Sequence, residues 1–267
     1  MDSADTPLVT ALKTLGKLPE ASAGAARVSQ AVRSVRFSTG LRRGWEGART
    51  ESSIRWVLAD CRRSGIDVTA KTLREQVAWQ GEPEERVAAA SWRCHSDAVV
   101  EMPPLNTKDL APPSHRPVRA MLASLHRDAG STDPQDDVRE EAGILSEEDA
   151  AKQELIIEVA EANAPGLIVL SVLAGQWIMQ PLSVDADRTI RDSFIRWLGT
   201  VRGFEPTGTA VLNLDSLESQ IALYSAGTQE GMDAWIGAVA DVYVDAMSES
   251  LRISQSVLAG RTDPLVD

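Results

Sequence analysis

One run near the middle of the chain has the makings of an anion site. It reads Gln180-Pro181-Leu182-Ser183-Val184-Asp185-Ala186-Asp187-Arg188-Thr189-Ile190-Arg191. An apolar stretch precedes it and an amphipathic pattern follows, so it reads as a short loop between two helices. Such a loop presents unpaired backbone N–H groups at the start of the second helix, where the helix dipole also favours negative charge. Glycines would let a phosphate approach closely, but carboxylates stand here instead. Asp185 or Asp187 can cap the helix. The chain's own carboxylate would then fill the anion site and pair with Arg188.

The run resembles the motif of the Fic (filamentation induced by cAMP) family, H-P-F-x-[DE]-G-N-G-R-x-x-R. Pro181, Arg188 and Arg191 match, and Leu182 keeps the apolar character of the phenylalanine. The resemblance implies a helical domain that binds ATP with magnesium and transfers AMP to a Ser, Thr or Tyr hydroxyl of a target protein. In it the histidine is the base, the acidic residue holds magnesium and the arginines steady the phosphates. Gln180 replaces the histidine, and an amide is no general base near pH 7; such a base contributes on the order of 10²–10⁴ in rate. Val184 replaces the magnesium ligand, and a hydrocarbon does not coordinate a hard cation. Asp185 and Asp187 replace the two glycines and Ala186 replaces the asparagine. Asp185 alone could still hold a metal.

The resemblance extends over residues 118–260. Ser124-Leu125-His126 is similar to the end of the family's entry helix. Arg202-Gly203-Phe204-Glu205-Pro206, Tyr224 to Gly231 and Trp235 look like its C-terminal part. Many members also carry an inhibitory helix, [ST]-x-x-x-E-[GN]. At its expected place the chain reads Asp60-Cys61-Arg62-Arg63-Ser64-Gly65. The glycine matches, Ser64 replaces the glutamate and Asp60 replaces the Ser/Thr.

The elements that must position this loop are helical. Residues 1–24 have weak periodicity and read as a flexible lead-in. Three- and four-residue apolar steps mark helices from about Ala25 to Arg62, divided around Gly40, Gly44 and Gly47. Thr69 caps a short helix and Glu84 to Val100 forms another, completing an N-terminal helical region at 25–102. Five prolines between Met102 and Pro117 predict an extended linker at 103–117. A helix resumes at Val118, and residues 128–149 read as an acidic, solvated loop. Helices follow from about Ser146 to Asn163 and from Pro165 to Met179, the latter apolar nearly all round and hence central. Another carries Ile190, Phe194, Trp197 and Leu198, and a last helix pair runs from about Gly231 to Val257. No strand-type alternation is sustained, so the fold class is all-α.

The 267 residues can bury a full core. The net charge of −12 is uneven: residues 1–75 carry +5, residues 76–127 balance, and residues 128–267 carry −17. The acidic portion makes nucleic acid an unlikely partner there. The basic third could touch an anionic partner, DNA included, or the chain's own acidic part. Cys61 and Cys94 lack metal-ligand spacing and read as free thiols of a reducing cytoplasm. His95, His115 and His126 are scattered, and His126 reads as a surface or cap residue. No membrane span and no secretory signal are expected. Trp177 and Trp197 flank the loop and should pack the core.

These readings predict a catalytically degenerate Fic-fold protein that acts through protein–protein contact, with no catalytic residue, no metal and no cofactor. Its protein partner is unknown and a homo-oligomer is open. The alternative is a nucleotidyltransferase of altered chemistry that uses ATP and magnesium, with Arg188 and Arg191 as phosphate contacts.

Overall fold

The computed structural model describes residues 6–106, 115–130, 146–184 and 186–261. Its helices are α1 (Pro7–Leu15), α2 (Pro19–Arg36), α3 (Thr39–Arg63), α4 (Ala70–Gln80), α5 (Arg86–Val100) and α6 (Val118–Gly130). There follow α7 (Glu147–Glu161), α8 (Gly166–Met179), α9 (Asp187–Val201), the short α10 (Asp215–Glu218) and α11 (Ile221–Ser225), and the long α12 (Gln229–Leu258). The fold is all-α, and no strand forms among the described residues.

Local sequence sets where many helices begin. Thr6, Ser38, Thr69, Ser146 and Thr228 each accept a hydrogen bond from the N–H three residues on, at the starts of α1, α3, α4, α7 and α12. Each such cap contributes about 1 kcal/mol.

Packing sets the rest. Buried side chains run along α8 from Leu167 to Trp177, so this helix lies inside the molecule. Helix α12 lies along α2 and α3, α3 packs on α5, and α5 reaches both α6 and α9. One continuous core runs from Leu12 in α1 to Ile253 in α12. A smaller cluster of Ile54, Val57, Leu58, Cys61, Ala70, Leu73 and Ala88 seats α4.

Two buried arginines hold the segment after α9. Arg49 Nε donates to Thr207 O at 2.9 Å and its Nη2 to Pro103 O at 2.8 Å. Arg196 donates to Gly208 O at 2.9 Å and to Ser53 Oγ at 3.0 Å. Glu205 accepts from the N–H groups of Thr207 and Gly208, each at 3.0 Å. Side chains thus satisfy a buried loop backbone that has no helix of its own to pair with. Burial lowers Arg49 to about 10 and Arg196 to about 9, so both stay charged near neutrality.

The structure corrects several expectations. Residues 7–24 are no lead-in but two helical stretches, anchored by Leu12, Leu18 and Ala21 in the core, because Thr6 caps one helix and Pro19 starts the next. The 25–62 region breaks at Phe37–Ser38, where Ser38 caps α3; Gly44 only kinks α3, with φ −135° and ψ 32°. The last pair of helices is one helix of 30 residues. Of the expected acidic loop, residues 128–130 end α6 and 146–149 begin α7, and 131–145 lie outside the described residues. So do 107–114 of the expected linker.

Gly40 marks a close backbone approach between α3 and α12. A Cβ there would stand 2.5 Å from the backbone oxygen of Ser254 in α12. Gly40→Ala is expected to lower stability by about 1–3 kcal/mol, since neither backbone can yield cheaply. Urea denaturation measures it.

Candidate functional site

Helix α8 delivers the chain into the Gln180–Ala186 loop, and α9 carries it away. Gln180 is exposed, and its Oε1 accepts from Gln176 Nε2 at 2.8 Å, one turn back on α8. Two residues of α7 pin the loop from outside. Asp149 Oδ1 accepts from Ser183 N at 3.2 Å, and Lys152 Nζ donates to Pro181 O at 3.3 Å. Leu182 is buried and Val184 packs against the core. Val184 thereby becomes a packing residue of the loop. Asp185 lies outside the described residues.

Asp187 turns inward, against the expectation that it caps α9 or pairs with Arg188. Its Oδ1 accepts from the Trp177 indole N–H at 2.7 Å and from Leu182 N at 3.3 Å. Burial holds its carboxyl above the usual range, with the indole and the Leu182 N–H pulling the other way. The carboxylate therefore closes the loop onto the last turn of α8. Ala186 precedes α9 with φ 60° and no side-chain cap.

Both expected phosphate-contacting arginines are engaged by the protein's own acids. Arg188 Nη2 donates to Glu218 Oε2 at 2.9 Å. Arg191 Nε donates to Asp192 Oδ1 at 2.8 Å, and its Nη1 to Glu218 Oε1 at 3.2 Å. Arg191 is 2% exposed and Asp192 is fully buried. A buried arginine between two carboxylates is compensated charge, and taking one partner away would cost several kcal/mol.

The ion chain continues across the fold. Arg63, at the end of α3, donates to Asp192 Oδ2 at 3.0 Å, to Asp215 Oδ1 at 3.0 Å and to Asp60. Asp60 also accepts from Ser91 Oγ and from Thr189 Oγ1, the latter at 3.0 Å. Burial pushes the Asp60 carboxyl up against the pull of Arg63. Burial lowers Arg63, but Asp192, Asp60 and Asp215 raise it overall.

His95 stands beside this chain. Its Nδ1 lies 3.2 Å from Ser193 Oγ, and its ring stacks on Trp56 at 5.1 Å between centroids. The set Ser193, His95 and Asp60 has the residue types of a hydrolase triad, but its geometry differs. His95 Nε2 is 3.9 Å from Asp60 Oδ2, beyond a hydrogen bond, and Ser193 and His95 are both fully buried. Burial, with Arg196 and Arg63 nearby, holds the ring well below its usual pKa, so it is neutral. His126 is buried, not a surface or cap residue, because it faces the core side of α6.

A cleft of about 550 Å³ lies over these groups. Asp60, Arg63 and Ser64 of the α3 end, Arg86, Val87 and Ala90 of α5, and Pro181, Leu182 and Ala186–Thr189 line it. Asp60, Arg63 and Ser64 of the segment compared with the inhibitory helix border this cleft. There Asp60 is held inward by Arg63, Ser91 and Thr189. Trp177 and Trp197 are buried as expected, and Cys61 and Cys94 are free and buried. Among the described residues no three His, Cys, Asp or Glu side chains come together around a metal position. No helix there is long and apolar enough to cross a membrane.

Sequence reasoning missed Asp192, Glu218 and Ser91. Asp192 had a signal, since it directly follows an arginine on a helix whose other face is apolar. Glu218 had none, because its helix α10 is too short to show periodicity.

The neutral, buried His95 gives a pH expectation. Its folded pKa lies below its unfolded value, so its contribution to stability is present above about pH 6.5 and is lost as pH falls. His95→Phe keeps a ring on Trp56 and removes that titration. Between about pH 7 and 5 the variant should lose less stability than the wild type, by the order of 1 kcal/mol, in denaturation at each pH. Neither a protein-family model, nor a curated protein, nor a solved structure matches the chain.

Proposed function

We propose that this protein is a catalytically degenerate Fic-fold protein that acts through protein–protein contact. The observation that carries the reading is the inward Asp187 carboxylate, bonded to Trp177 and Leu182 where the family motif has a phosphate-cradling glycine. A phosphate at that place would meet a half-buried carboxyl already bonded to the protein. Arg188 and Arg191 are neutralised by Glu218 and Asp192, so phosphate would have to displace formed ion pairs. Gln180 offers an amide at the position of the base, and Val184 a hydrocarbon at that of the metal ligand.

A second reading rests on the cleft. It opens over the uncapped first turn of α9, and Arg86 at its edge has no carboxylate partner among the described residues. An anion there would favour a transferase of altered chemistry that uses ATP and magnesium.

Incubation with labelled ATP, magnesium and cell lysate separates the two. The degenerate reading expects no label on protein, and none after Gln180→His either, because the carboxylate and the ion pairs remain. Label transfer that depends on Gln180, or that appears on restoring the histidine alone, contradicts it.

A further inference from the structure

The basic third of the chain concentrates its charge at one corner. Arg33 and Arg36 end α2, Phe37 forms the turn, and Arg42 and Arg43 lie in the first turns of α3. Phe37 is 70% exposed. Among the described residues no carboxylate pairs with these four arginines. That is unusual for this chain, because acids outnumber bases 39 to 27, and most other arginines have found one: Arg27, Arg55, Arg63, Arg74, Arg116 and Arg191 among them. Beneath the corner runs a groove of about 420 Å³, with Ala25, Val32, Phe204 and Pro206 along it and Arg33 and Arg36 beside them. Arg36 also adds its positive charge to the field at the buried Arg49.

An exposed aromatic ring beside an apolar groove with an uncompensated cationic rim is complementary to a short acidic segment that carries apolar side chains. The apolar floor would take its hydrophobic residues and the guanidiniums its carboxylates. A nucleic-acid strand fits less well. Its backbone needs a continuous basic track, and the molecule as a whole carries −12.

We propose that the α2–α3 corner is a docking site for an acidic, amphipathic peptide segment of a partner protein. This rests on the reading that the protein works by protein contact, and names the partner's chemistry.

The test is fluorescence anisotropy of the full chain with a short labelled peptide that alternates glutamate with leucine and phenylalanine. A lysine-for-glutamate version and a single-stranded oligonucleotide serve as parallel arms. Binding of the acidic peptide should weaken about tenfold in Arg33→Glu/Arg36→Glu and severalfold in Phe37→Ser. It should also fall as salt rises from about 50 to about 300 mM. All three positions are surface-accessible, and circular dichroism confirms that the variants fold. Absence of acidic-peptide binding at about 1 mM overturns the proposal. So does binding that the variants leave unchanged, equal binding of the lysine version, or tighter binding of the oligonucleotide through the same residues. None of these outcomes alters the labelled-ATP result, so the two ideas fail separately.

Discussion

The structure depends on how it settles two buried carboxylates, Asp60 and Asp192. Neither can stay charged in a helical core without a cation, since an unpaired buried charge costs several kcal/mol. Arg63 reaches both, and Arg191 takes the other side of Asp192. Through that arrangement α3 of the basic N-terminal third is tied to α9 and to the α10 segment of the acidic part. The uneven charge of the sequence is thus resolved partly inside the fold. The arginines that the motif would assign to phosphate are used in holding the protein together.

The same constraint shapes the loop. With Arg188 and Arg191 turned to Glu218, these two guanidiniums at the start of α9 are already paired. Asp187 then sits beside the Trp177 indole, which lies on the last turn of the most apolar helix. An indole N–H in a core needs an acceptor, and the carboxylate supplies it. A carboxylate stands where the resembled motif has a glycine, and it makes a core hydrogen bond.

Much of this was legible in the sequence, for physical reasons. Hydrophobic periodicity gave the all-α class, and Thr69, Ser146 and Pro165 marked helix starts within a residue or two. The apolar character of 166–179 placed α8 inside. The first helix was hidden because it is only nine residues long, and the start of the second because its alanine, serine and glycine give no strong apolar stripe. At the loop, each departure from the resembled motif could be read residue by residue. The direction of Asp187 could not, because its partner Trp177 is on another element and the competing choice, a helix cap, is equally compatible with the local sequence. The ion chain was illegible for the same reason: Asp60, Arg63, Asp192 and Glu218 meet only when α3, α9 and α10 are brought together.

The central claim is that the protein's own carboxylates have taken the place of phosphate at Arg188 and Arg191. Calorimetric titration of ATP with magnesium into the full chain addresses it directly. The account predicts no saturable heat at about millimolar nucleotide. Saturable binding that Arg188→Ala or Arg191→Lys abolishes would contradict it, because those guanidiniums would then be available to phosphate after all.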